Sequence, residues 1–151
     1  MAQVRLLGPG DLADFRALNA LFAEVFGEPE TYAAAPPSDE YASGLLGDAS
    51  VILLVARDGR RVIGGLGGYV LRKFERARSE IYIYDLAVAG DRRREGIATA
   101  LIEETRRIAR EIGAWTIFVQ ADVLPEDEPA RALYRKLASD EITALHFDIA
   151  P

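Results

Sequence analysis

The stretch Tyr84–Ile112, YDLAVAGDRRREGIATALIEETRRIAREI, decides the fold. An apolar strand runs into a basic loop punctuated by Gly96, and the loop opens directly onto a segment of helical periodicity. Ile97, Leu101, Thr105, Ile108 and Ile112 fall on one face of that segment, with charges opposite. Gly113 follows as its stop. A strand that delivers free backbone N–H groups to a helix N-terminus builds an anion site. The core of that site is Arg93-x-x-Gly96-x-Ala98. Gly96 lets the backbone approach a phosphate with no Cβ between them, and Ala98 is small for the same purpose.

Working upstream, Ser79–Val88 (SEIYIYDLAV) is the strand that feeds the loop. Before it, Val62–Arg72 is a strand loosened by Gly64, Gly65, Gly67 and Gly68, where bulges or a close backbone approach are expected. Asp58-Gly59 is a hairpin signal joining it to the buried strand Ser50–Ala56. Asp11 is placed to cap a helix running to Val25 or Phe26 with Gly27 as its stop, and Leu12, Phe15, Leu18, Leu21, Phe22 and Val25 carry its spacing. Residues 27–37 read as an ordered loop or broken second helix, and a short helix begins at Ser38-Asp39-Glu40 and ends near Gly47. Downstream, Trp115–Ala121 is a strand parallel to the one before the helix, because a helix separates the two. Pro129–Leu137 is a short helix, and Ala144–Ile149 a final strand. The order predicts an α/β fold: a mixed, mostly antiparallel central sheet with a splayed parallel pair and flanking helices.

The chain has 151 residues, one ordinary domain's worth, and 50% of them are hydrophobic, enough to build a core. No cysteine is present, which excludes disulfides, thiolate metal sites and a cysteine nucleophile; the one histidine, His146, excludes a multi-histidine metal site. Net charge is −6 and the pI about 4.9, against a nucleic-acid partner. No signal-peptide pattern opens the sequence, and no apolar run approaches the roughly 18 residues that cross a bilayer, so a cytoplasmic setting without membrane association is expected. Arginines cluster at 92–94 while acids dominate elsewhere, a charge layout that suits one anionic and one cationic ligand. A dinucleotide site needs G-x-G-x-x-G after an early strand, which this chain lacks.

In that context Arg93-x-x-Gly96-x-Ala98 resembles the acyl-CoA pyrophosphate loop of the GNAT superfamily of N-acyltransferases, and the resemblance covers nearly the whole chain as a single domain, 1–151. It implies acetyl-CoA as co-substrate, with no metal. The pyrophosphate falls to Arg93, Arg94, Glu95, Gly96, Ile97, Ala98 and Thr99, and the pantetheine arm to backbone groups of Leu86, Ala87 and Val88. In many such enzymes a tyrosine in A-x-x-L-Y-x-K-L faces the CoA sulfur as general acid; here it is Tyr134. Ala138 stands where the usual glycine follows, which puts the next turn in question.

Further stretches, RSEIYIYDLAV, RRREGIATALI, FVQAD, ALYRKL and HFDI, look like the aminoglycoside 3-N-acetyltransferases of the gentamicin/fortimicin type. That resemblance implies acetylation of the 3-amino group of a 2-deoxystreptamine ring and hence antibiotic resistance. A polycationic substrate calls for several carboxylates. Candidates are Glu28, Glu30, Asp39, Glu40, Asp122, Glu126, Asp127, Glu128 and Asp148, with Asp122 and Asp148 best placed. Glu126-Asp127-Glu128 also suits a helix N-terminus.

The amine must lose a proton, the oxyanion needs a donor, and the leaving thiolate needs a proton. Asp85, near the end of the motif strand, is the expected base. Glu80 lies on the same strand at odd spacing, so on an unbroken strand the two point to opposite faces; a bulge would change that. Glu80, Asp122, His146 and Asp148 are expected at the substrate, and alternation puts His146 and Asp148 on one face of the last strand. Tyr82 and Tyr84 either stack on sugar rings or pack. A homodimer is possible in this family, though no interface is legible.

Overall fold

The computed structural model describes residues 2–151. Five strands form one sheet in the order β1-β2-β3-β4-β5, with β1 at Gln3–Leu6, β2 at Val51–Asp58, β3 at Arg61–Arg72, β4 at Ser79–Val88 and β5 at Thr116–Val119. The first four pair antiparallel. β5 runs parallel to β4, and the Trp115 N–H donates to the Ser79 carbonyl at 3.0 Å where both strands begin. Helices α1 (Leu12–Phe26), α2 (Pro29–Tyr32) and α3 (Asp39–Leu46) precede β2; α4 (Ile97–Ile112) joins β4 to β5. The first compact unit ends at Phe118. The second, Val119–Pro151, holds α5 (Glu128–Leu137).

Two consecutive glycines explain why helices pack so closely on both faces of β3. A Cβ on Gly64 would sit 2.7 Å from Ile97 Cγ2 of α4, and one on Gly65 would sit 2.0 Å from Leu18 Cδ1 of α1. Adjacent strand residues face opposite ways, so α4 covers one face and α1 the other. Phe15, Leu18 and Phe22 of α1 form a buried cluster with Leu7, Ala42, Leu46, Val55 and Ala87. Leu54 and Leu66, both fully buried, alternate toward α4, where Leu101 is also fully buried. Thr105 on that helix is buried too, and satisfies its hydroxyl on the Leu101 carbonyl at 2.9 Å.

Gly27 and Gly113 end α1 and α4 in left-handed conformation, as expected. Asp11, by contrast, does not cap α1 through its side chain. Its carboxylate accepts from the Gly8 N–H and from Arg5, both at 2.7 Å. Arg5 also reaches Asp14, and so does Arg57, which ties β1 and β2 to α1. This network holds β1, a strand absent from the sequence reading; at four polar-mixed residues it carries almost no periodic signal. The expected final strand at Ala144–Ile149 is also corrected. Among the described residues, no helix or strand follows Leu137, and residues 142–150 make no backbone hydrogen bonds. Alternation fixes which side chains share a face, but a strand also needs a neighbouring edge. No described helix is long and apolar enough to cross a membrane.

Candidate active site

The bulge in β4 determines what faces the α1 side of the sheet. Gly67 pairs with Asp85, yet Gly68 pairs with Ile83, so Tyr84 is an extra residue. On β3, positions 67, 69 and 71 alternate to one face, and their partners are Asp85, Tyr82 and Glu80. The bulge therefore brings Glu80 and Asp85 to the same face despite their odd spacing. The glycine run permits it: a Cβ on Gly68 would lie 2.8 Å from the Tyr82 carbonyl oxygen.

Asp85 is half-buried at the α1 end of this face. The Tyr32 hydroxyl donates to its Oδ2 at 2.9 Å, and its other oxygen has no hydrogen bond among the described residues. Burial pushes its pKa above the ordinary carboxylate value. The Tyr32 hydrogen bond opposes that shift, and the negative charge of Glu28 reinforces it. Tyr32 is itself driven well above its usual range, first by burial and then by Asp85. It is positioned by rings of α1, with Phe22 and Phe26 centroids each 5.7 Å away. The outcome is a carboxylate that binds a proton more tightly than usual beside a permanent hydroxyl donor.

An aromatic floor continues from it. Tyr84 meets Tyr69 and Tyr82 edge to face at 5.8 and 5.7 Å, and Tyr82 stacks on Phe118 of β5 at 4.6 Å. Tyr69 and Tyr84 remain 43% and 59% exposed, enough ring surface to cover a sugar or an aliphatic chain. Glu80, farther along, sits 3.7 Å from Lys73.

At the other end of β4 lies the anion loop. Gly90–Arg92 form one 3₁₀ turn, Arg94 takes a left-handed φ of 65°, and Gly96 takes 78° as the N-cap of α4. No side chain caps α4 and no acid lies in its first turn, so the N–H groups from Ile97 onward face outward unneutralised. Arg92 is not available to a phosphate: Glu95 holds it at 2.7 Å and Asp58 at 2.9 Å. Glu95 thus braces the loop through Arg92. Arg93 and Arg94 are exposed and have no ion pair among the described residues. Leu86, Ala87 and Val88 lead into this loop on β4.

The second unit carries Tyr134, Asp122, His146 and Asp148. Tyr134 is half-buried on α5. The helix exits through Ala138 at φ −74°, ψ 145°, an extended conformation that needs no glycine. His146 Nε2 and Asp148 Oδ1 are 2.7 Å apart on exposed chain. Of the remaining acids, Asp39 is engaged by Arg16 and Glu128 by Arg131. Glu128 starts α5, as the helix-dipole reading expects. Tyr32 and Tyr69 escaped the sequence reading. The only available signal was Pro29 after Gly27, which marks a helical turn that carries an aromatic back toward the sheet.

A strand with a bulge, a basic glycine loop and an uncapped helix start thus follow one another along the chain. Residues 15–138 match the Acetyltransferase (GNAT) family, and the chain belongs to it. GNAT acetyltransferases use acetyl-CoA. An aminoglycoside acetyltransferase from an uncultured soil metagenomic sample is 48% identical, with a TM-score of 0.97 over 100% of this chain and 99% of that one. A second such soil enzyme, solved in complex with sisomicin, is 30% identical at a TM-score of 0.84 over 99% and 97%. The L-2,4-diaminobutyric acid acetyltransferase of Shouchella clausii is 31% identical over 90 residues, 60% of this chain; that match spans 48% of the relative's length. Among the described residues, no group of three or more His, Cys, Asp or Glu side chains is placed to hold a metal ion.

Proposed function

We propose that this chain transfers the acetyl group of acetyl-CoA to an amine of an aminoglycoside, the 3-amino group of the 2-deoxystreptamine ring, and so confers resistance. The observation that carries the reading is Asp85: a half-buried carboxylate whose pKa is raised by burial, at the edge of an exposed tyrosine floor, on the strand that leads into the basic loop. Similarity to two aminoglycoside acetyltransferases supports the substrate class.

The ammonium form of the acceptor cedes a proton to Asp85, and the freed amine attacks the thioester carbonyl. The carbon–sulfur bond then breaks, Tyr134 gives its proton to the CoA thiolate, and the surplus proton on the new amide nitrogen restores the phenol. The product amide is uncharged, which removes one of the cationic contacts that aminoglycosides make with RNA. Glu28 beside Asp85 attracts the acceptor's positive charge. Arg93, Arg94 and the N–H groups of Ile97, Ala98 and Thr99 take the pyrophosphate, and backbone groups of Leu86, Ala87 and Val88 take the pantetheine arm.

A second reading, acetylation of a small diamine, rests on the diaminobutyrate enzyme as relative. CoA thiol release with sisomicin, L-2,4-diaminobutyrate and a lysine peptide separates the two. Turnover with sisomicin at least a hundredfold above the others is expected. Preference for diaminobutyrate would overturn the aminoglycoside assignment while keeping the site.

Two variants probe the proton transfers. Tyr134→Phe is expected to lower kcat more than it raises the KM for acetyl-CoA, because the phenol acts on the leaving group; unchanged kcat removes Tyr134 from the mechanism. Tyr32→Phe removes a hydrogen bond that favours ionised Asp85. The carboxyl pKa should then climb further, and the acid limb of kcat/KM should move to higher pH. A limb that stays in place or moves down would detach it from Asp85.

A further inference from the structure

We propose that the tyrosine floor is a cation subsite: the ring faces of Tyr69 and Tyr84 hold a second alkylammonium group of the acceptor while the first cedes its proton to Asp85. The acceptor's part in this rests on the acetyltransfer reading; the cation binding itself does not.

The chain has six tyrosines, and three of them meet on this one face of β3 and β4. Register sets Tyr69 opposite Tyr82, two residues along from the Gly67–Asp85 pair. The bulge turns the extra residue, Tyr84, to the same side. Its ring stands at 78° to Tyr69 and 74° to Tyr82. Tyr82 is steadied from behind, lying within 6° of parallel to Phe118 at 4.6 Å. Perpendicular rings build a corner rather than a plane. A corner suits a compact charged group better than the broad face of a sugar.

Charge decides what enters it. Carboxylates stand at the two ends of the face, Asp85 at one and Glu80, beside Lys73, at the other. Between them β3 and β4 offer only Tyr69, Tyr82 and Tyr84, so a second ammonium near Asp85 meets π surface and no carboxylate. Elsewhere the chain covers aromatic faces with its own cations, Arg16 over Phe15 and Arg78 over Trp115. Among the described residues no such cation covers Tyr69 or Tyr84, and both rings are exposed. Burial raises the pKa of Tyr69, and Tyr84, Asp85 and Tyr41 reinforce it; burial likewise raises that of Tyr82. These phenols stay neutral, and the attraction is that of the ring quadrupole. Two residues of strand separate the Tyr69–Tyr82 level from Asp85, roughly 7 Å. The acceptor class is therefore an amine with a second ammonium at about that distance from the first. With no carboxylate to hydrogen-bond there, N-methylation of that second ammonium should be tolerated.

Choline and its neutral carbon isostere separate charge from bulk. In NMR titrations of the wild-type protein, the choline methyl protons should move upfield, and choline should bind about tenfold more tightly than the isostere. Tyr84→Phe, which keeps the ring, should bind choline within about twofold of wild type, whereas Tyr84→Leu and Tyr69→Leu should each lose about fivefold. Asp85→Asn should stay within about threefold, since the site is not the carboxylate. In turnover, both leucine variants should raise the KM for sisomicin about tenfold with little change in kcat. Equal binding of choline and its isostere to the wild type would overturn the proposal, and needs no variant to fold. So would a loss in Tyr84→Phe as large as in Tyr84→Leu, or abolition by Asp85→Asn. An unchanged sisomicin KM in both leucine variants would overturn the placement of the acceptor. Selective choline binding by a protein that does not acetylate sisomicin would support the subsite and sink the acetyltransfer reading alone.

Discussion

Asp85→Asn is expected to lower kcat/KM by about a hundred- to ten-thousandfold while leaving acetyl-CoA affinity within about twofold, by steady-state kinetics with sisomicin and calorimetric titration of acetyl-CoA. The substitution keeps the shape of the side chain and an oxygen to accept from the Tyr32 hydroxyl, so the 2.9 Å contact survives. What it removes is a carboxylate whose proton affinity is raised by burial and which keeps one oxygen unengaged among the described residues. The basic loop that follows Val88 is a separate segment of the chain and makes no ion pair with this carboxylate among the described residues. Glu80→Gln is the internal control: Glu80 shares the face but stands beside Lys73, and its loss should cost less than about threefold. An Asp85→Asn enzyme within tenfold of wild type would move the base to Glu28 or to water.

The same variant should gain thermal stability. Burial raises the pKa of Asp85 in the folded state above its unfolded value, so the folded protein binds that proton more tightly. The stability this contributes is present below the unfolded pKa and is lost as pH rises through the folded pKa. Above that folded pKa the ionised, half-buried carboxylate is therefore a cost that Asn does not carry. A higher Tm with collapsed activity would identify Asp85 as a functional compromise; a lower Tm would mark it as a structural anchor.

Local chemistry made much of this fold legible. α4 runs over Ile97–Ile112 as read, because a glycine stands at each boundary and the apolar face is strictly periodic. The bulge was foreshadowed by the glycine run of β3, although its position, between Gly67 and Gly68, depends on pairing with β4. The site was half legible. Asp85 was readable as a candidate from its place on the motif strand, but Tyr32 comes from 53 residues away and is aimed by contacts with Phe22 and Phe26. Such long-range placement leaves no periodic trace. Arg92 shows the reverse failure: within a basic run it looks like a phosphate ligand, yet Asp58, from the distant hairpin, engages it. The tail 142–149 reads as a strand because its pattern is that of one; what a pattern alone does not supply is an edge to pair with.

Gly65→Ala is expected to destabilise the protein by about 3 kcal/mol, and to lower Tm by roughly 6–12 °C for a chain of this size. The new Cβ would lie 2.0 Å from Leu18 Cδ1 and 3.2 Å from the Leu54 carbonyl oxygen. Leu18 is 1% exposed and packed among Phe15, Phe22 and Val55, so its methyl has no free volume to enter; the β2 backbone is held by pairing on both sides. The strain therefore falls on α1, which must lift from the sheet. Lifting α1 displaces Phe22 and Phe26, then Tyr32, and separates its hydroxyl from Asp85, so kcat/KM should fall along with Tm. Trimming Leu18 to Ala in the Gly65→Ala background relieves the clash and should recover part of both losses, whereas Leu18→Ala alone destabilises by opening a cavity. Gly90→Ala, where an added Cβ meets nothing within 4 Å, should shift Tm by less than about 2 °C. A Gly65→Ala protein as stable as the Gly90 control would mean that α1 does not rest on bare β3 backbone, and the positioning of Tyr32 through that contact would fail with it.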